Sequence, residues 1–331
     1  MKKKLRYILL ATMLLVSASV FAASKKSIVC TTYPEYDWLL NVLGKNASNF
    51  NITLLQDKGT DLHSYQPTVQ DIAKISACDL FVYVGGESDE WVEKALKNAR
   101  NKDMIVINMM EMLGDAVREE EHVEGMQKSE EHEHAHEHGH DHEHGHDHEE
   151  EEAEYDEHVW LSLHNAAIIT QALCEAVQTL DAKNAATYKA NTDTYTQQLS
   201  ALDSEYKNTV AQAKNKTLVF ADRFPFRYLT DDYGLKYYAA FAGCSAESEA
   251  SFETVIFLAQ KLDEFNLNSV LTIEKSNKKI AKTVVSNTKT KNQQIFELDS
   301  LQSVTKKEIS KGKTYLGTMQ QNLAVLKAAL N

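Results

Sequence analysis

Nine histidines occupy every second position from His132 to His148. Imidazole is the commonest side-chain metal ligand and suits zinc, copper and nickel. Carboxylates fill most of the positions between, where they raise the local concentration of cations. The run offers almost nothing apolar to bury, so it reads as a flexible, solvated loop that gathers metal. Its rings are mostly neutral and able to ligate near pH 7; below about pH 6 they protonate and release metal. The polar run gives way to DEHVWLSLHNAA, where amphipathic structure resumes. His158 stands at that junction and reads as a high-affinity ligand rather than as part of the loop. His164 opens the helix that follows and reads as a surface or capping residue.

The charge follows the same division. The chain of 331 residues carries a net charge of −13, yet twenty acids against two bases lie between Glu111 and Glu157. The remainder is nearly neutral once the bases of the leader are set aside, so no basic face for nucleic acid is expected. That leader, MKKKLRYILLATMLLVSASVFAAS, has a basic start, an apolar run and a small-residue site. It reads as a secretory signal cleaved after Ala22 or Ala23. Ile28 and Val29 before Cys30 do not make a lipoprotein-like pattern, so a soluble exported protein of the periplasm is expected rather than a lipid-anchored one. No other apolar run approaches the about 20 residues that span a bilayer. Four cysteines lack any CxxC spacing. An oxidising compartment would permit one disulfide, but buried small apolar residues are the simpler reading for at least three of them. Cys244, in a loop-like GCS, is the least settled.

The elements that must position these groups alternate. Strands are expected at Ser27–Tyr33, Asn51–Leu55, Asp79–Val84 and Met104–Asn108, and again at Thr217–Ala221, Lys236–Phe241, Ser269–Ile273 and Gln294–Leu298, with helical patterns between them. The expected fold class is α/β, two lobes each with a four-stranded parallel sheet flanked by helices. Tyr188, Thr192, Tyr195, Leu199, Leu202, Tyr206 and Val210 step by threes and fours along one long helix. This helix suits a rigid strut between the lobes. The divisions are a signal over 1–23, an N-terminal lobe over 24–182 with an insert at about 115–155, a linker helix over 183–213 and a C-terminal lobe over 214–331. Ligand residues belong at the carboxyl ends of parallel strands. His63, Glu87, Asp222, Glu247, Glu274 and Asp299 all lie just after a predicted strand.

His63 falls in GTDLHSYQPT and His158 in DEHVWLSLHNA. With YGL at Tyr233–Leu235 and ELDSL at Glu297–Leu301, the chain resembles the metal-binding family of periplasmic solute-binding proteins that serve ATP-driven importers of zinc and manganese. The resemblance covers essentially the whole mature chain, and the acidic histidine-rich insert is similar to that of the zinc-type members. It implies two α/β lobes bridged by a long helix, one divalent metal held between them, and an ABC permease as partner to a monomeric receptor. Carried across, the family's ligands give His63, His158 and Asp299. Its third slot falls on Arg223, which cannot ligate. Asp222 beside it is the substitute, with Glu247 the next candidate, and Arg223 could instead anchor a ligand carboxylate from behind. Glu87 reads as a cap for the helix carrying Trp91.

The resemblance thus implies a zinc receptor using His63, His158, Asp222 and Asp299. Two histidines with two carboxylates would suit manganese about as well, so a manganese receptor is the alternative. A zinc hydrolase lacks support, since there is no HExxH. A surface adhesin or metal buffer is a further rival. No covalent chemistry is expected, because a site closed by four protein ligands fits sequestration.

Overall fold

β1 (Lys26–Cys30), β2 (Phe50–Leu54), β3 (Leu80–Tyr83) and β4 (Ile105–Asn108) pair in parallel in the order β2-β1-β3-β4. β5 (Thr217–Phe224), β6 (Lys236–Ala242), β7 (Ser269–Ile273) and β8 (Gln294–Leu298) form a second parallel sheet in the matching order β6-β5-β7-β8. The computed structural model describes residues 25–127, 154–245 and 249–331. The leader, the histidine tract and Glu247 lie outside the described residues.

The predicted strands all form, with β7 and β8 ending where expected. Helices cover both faces of such sheets, so their strands read as continuous apolar runs; every residue of β7 is buried. Thr32 and Glu35 make a capping box at the start of helix Tyr33–Leu43. Pro34 lies in the first turn of that helix, where a missing N–H goes unnoticed.

The long helix runs from Ala185 to Ala211, 27 residues, or about 40 Å. Its buried face is the stripe of tyrosines and leucines read from the sequence. It packs on helices Leu163–Leu180, Tyr33–Leu43 and Tyr315–Ala329, and so touches both halves of the chain. One apolar cluster runs through this seam and takes in Ile28 and Val82 of the first sheet with Phe220 and Leu298 of the second. Polar tips of buried aromatics stitch it. Tyr206 donates to the Met319 carbonyl at 2.6 Å, Tyr315 to that of Trp160 at 2.6 Å, and the Trp160 indole to that of Ser300 at 2.8 Å. Trp38 meets Tyr315 edge to face at 5.0 Å. A seam this large and apolar opposes a wide hinge between the halves.

The base of the insert is clamped. The Glu120 N–H donates to the Glu154 carbonyl at 2.9 Å and the Asp156 N–H to that of Arg118 at 2.8 Å. Tyr228, from the second half, accepts from the Arg118 N–H at 3.0 Å and donates to the Asp156 carbonyl at 2.8 Å. The first stem continues across the second sheet, where the Gln127 N–H donates to the Ala240 carbonyl at 2.9 Å.

Trp38→Ala removes a fully buried ring from the seam. It should cost about 3–5 kcal/mol in a denaturant titration. Glu35 gives a pH signature. Burial is the largest influence on it and raises its carboxyl from 4.5 to about 7, against the opposing bonds from Thr32 and Thr31. A carboxyl raised on folding stabilises most below its unfolded value, and that contribution is lost as pH rises through about 7. Glu35→Gln cannot titrate, so its stability between pH 4.5 and 7 should fall less steeply than that of the parent.

Candidate metal site

His63 lies in a single turn, Leu62–Ser64, that follows β2. Asp61 caps the turn. One carboxylate oxygen accepts the His63 backbone N–H at 3.1 Å, and the other accepts the Arg223 guanidinium at 2.6 Å. Burial pushes the Asp61 carboxyl up, but Arg223 and His63 outweigh it and hold it below the usual carboxylate range. The His63 Nδ1 lies 2.9 Å from the Ser88 hydroxyl and 3.3 Å from Glu157. Glu157 also accepts the Ser88 N–H at 2.7 Å. Its burial raises its pKa, yet His63 and Ser88 together bring it below the ordinary value.

His158 is wholly buried. Asp156, two residues back, accepts both its backbone N–H at 2.8 Å and its ring Nδ1 at 3.0 Å. A carboxylate only accepts, so Nδ1 carries the hydrogen and the lone pair of a neutral ring lies on Nε2. Burial lowers the His158 pKa, and the carboxylates of Asp156, Glu157 and Asp61 together outweigh it, leaving it raised.

The two rings then meet. His63 Nε2 and His158 Nε2 stand 3.2 Å apart, and Gln302 Oε1 is 3.2 Å from His158 Nε2. With Nδ1 of His158 turned to Asp156, its Nε2 lone pair faces both His63 Nε2 and Gln302 Oε1. The Gln302 amide nitrogen is buried without a partner. A cation between the two ring nitrogens would satisfy their lone pairs. Two nitrogens on one tetrahedral zinc, each at about 2.0–2.1 Å, stand about 3.3–3.4 Å apart. The observed separation already fits. The carboxylate behind each ring is the arrangement that fixes tautomer and direction in histidine metal sites.

A third ligating atom is close. The Cys244 sulfur and the nitrogens of His63 and His158 lie within 4.8 Å of one another, the group of this kind found among the described residues. A cavity of about 260 Å³ beside His63 and Cys244 is lined also by Glu87, Glu120, Glu154 and Glu157. This acidic mouth favours entry of cations.

The other expected ligands are turned elsewhere. Asp222 accepts from the Arg223 N–H at 3.0 Å and from the Ser276 hydroxyl. It lines a separate cavity of about 450 Å³ with Arg223 and Glu274. Asp299 pairs with Lys313 and closes a turn by accepting the Leu301 N–H at 2.9 Å. Neither joins the His63–His158 group, because each carboxylate already has local partners that satisfy it. Glu274 accepts from Ser300 and Ser303. Glu87 makes no side-chain cap and lines the cavity mouth instead. His164 is exposed in the first turn of its helix. Cys30, Cys78 and Cys174 are buried free thiols. Sequence reasoning missed Cys244 and Gln302 as members of the site. The signal available was the GCS loop following β6.

The fold and site define a two-lobed binding protein for a divalent cation. A family profile described as "Zinc-uptake complex component A periplasmic" matches residues 28–329, and the chain belongs to that family. The high-affinity zinc uptake system protein ZnuA of Bacillus subtilis is 30% identical, with 98% of this chain and 96% of that protein aligned. The zinc-binding protein AdcA of Streptococcus pyogenes is 28% identical over 93% of this chain, which spans 56% of AdcA's length. A crystal structure of the metal-dependent lipoprotein YcdH from Bacillus subtilis superposes with a TM-score of 0.71 at 27% identity, covering 92% of this chain and 99% of that one.

Gly243 tests the tightness of the site. A Cβ there would lie 2.9 Å from the Phe224 carbonyl oxygen and 3.1 Å from the His158 ring. Gly243→Ala should weaken the tight metal site in calorimetric titration and also lower the denaturation midpoint, since the Phe224 carbonyl must shift to admit the methyl group.

Proposed function

We propose that this chain is the extracytoplasmic receptor of a zinc importer. It captures Zn²⁺ between its two sheets and hands it to a membrane permease driven by an ATPase. The observation that carries this reading is the pair of Nε2 atoms 3.2 Å apart, each ring backed by a carboxylate. His63 and His158 are the ligands it rests on. Asp222 and Asp299, engaged with Ser276 and Lys313, are left out of the ligand set. The family's description and the names of its relatives favour zinc over manganese as cargo. The reading asks for no bond to be made or broken in a substrate: the ion enters, is held and leaves.

The lobes of this receptor are residues 24–182 and 214–331, with 183–213 as the strut. Among the described residues no helix is long and apolar enough to cross a membrane. The YcdH protein is named a lipoprotein, which runs against the expectation of a chain free of any lipid anchor. The chain works outside the cytoplasm. The histidine tract gathers metal at weak, multiple positions, and the cleft holds one ion tightly.

Calorimetric titration of the full chain with Zn²⁺ should resolve one tight site above a set of weak ones. The double substitution His63→Ala, His158→Ala should abolish the tight site and leave the weak set. Survival of the tight site in that variant would overturn the proposal. So would displacement of Zn²⁺ from it by equimolar Mn²⁺.

A further inference from the structure

The cargo site has a feature its histidines do not explain. The loop after β6 brings Cys244 to within 4.8 Å of both ring nitrogens, and three separate contacts hold it there. The Cys244 N–H donates to Glu120 at 3.2 Å, on the stem of the insert. Arg223 reaches the Ser245 carbonyl at 3.5 Å while its other nitrogen binds Asp61, the cap of the His63 turn. Gly243 lets the backbone pass so close to His158 that a methyl group would press on the ring. The loop is thus braced from the insert, from the His63 turn and against His158 itself.

We infer that the Cys244 thiolate is a protein ligand of the bound ion, so that the chain takes Zn²⁺ through two imidazoles and a sulfur and uses that sulfur to reject harder cations such as Mn²⁺. This deepens the receptor reading above and rests on it. Zinc accepts mixed nitrogen and sulfur sets, with Zn–S near about 2.3 Å. A tetrahedral ion would hold nitrogen and sulfur about 3.6 Å apart, so the loop has only about 1 Å to close. On binding, the thiol proton leaves to solvent and the sulfur lone pair goes to the metal. Thiolate favours zinc, whereas manganese prefers carboxylate, carbonyl and water. Arg223 fits this scheme as a brace. It occupies the third slot that the resemblance implied, cannot ligate, and instead ties the sulfur-bearing loop to the His63 turn.

Cobalt substitution of the full chain tests the inference. Imidazoles of the tract give no sulfur-to-metal charge-transfer absorption, so that near-ultraviolet band reports a thiolate ligand alone. The other three cysteines are buried in the first half of the chain. The expected result is a charge-transfer band that saturates with one Co²⁺, vanishes in Cys244→Ser and is displaced by Zn²⁺. Zn²⁺ should also protect Cys244 from iodoacetamide, read by peptide mass spectrometry. Cys244→Ser should lose Zn²⁺ affinity by at least the about 10–100-fold that losing a mere supporting residue costs. Its Mn²⁺ affinity should change less, which narrows the ratio between the two metals. A tight site that depends on His63 and His158 but shows no thiolate band and no protection of Cys244 would overturn this inference and leave the receptor reading intact. Absence of any tight site in the parent chain would overturn both.

Discussion

Two imidazole nitrogens 3.2 Å apart must share a proton or a cation, because two bare lone pairs at that distance repel. That constraint organises the site. Asp156 and Glu157 are neighbours in sequence, yet they serve different rings, one holding His158 and the other facing His63. One short peptide therefore sets the direction of both rings. Because the rings come from loops 95 residues apart, their spacing depends on everything that keeps those loops in place. The seam around the long helix and the Asp61–Arg223 pair both do this.

The ion pair also explains how an arginine is tolerated beside a cation site. Its charge is taken up by Asp61, so a bound metal faces a largely neutralised group. The acidic residues at the cavity mouth supply the opposite field. The result is a site with attraction at its entrance, a balanced pair at its side and a close pair of ring nitrogens at its centre.

Much of this was legible in the chain. The β-branched runs and the helical stripe gave the strands and the strut to within a few residues, because parallel strands are apolar throughout and a long amphipathic helix has one period. His63 and His158 were legible from their motifs. The carboxylates were not. Asp222 lies where β5 shifts register, between Phe220 and Arg223, and accepts from Ser276. Asp299 follows its strand as expected but has Lys313 opposite, 14 residues on, which no local pattern announces. Cys244 and Gln302 sit in irregular loops, where no periodicity states which way a side chain points. Position after a strand fixes where a residue is, and only its partners fix what it faces.

The clamp at the base of the insert separates two kinds of change. Arg118 and Asp156 are joined to each other and to Tyr228 whatever chain lies between Gln127 and Glu154. Once the ends of a loop are held, the entropy of closing it grows only slowly with length, about 0.6 kcal/mol for each doubling. Histidine pairs could be gained or lost by replication slippage in such a repeat with little effect on folding. The length of the repeat can thus drift from one lineage to the next while the clamp at its base is inherited unchanged.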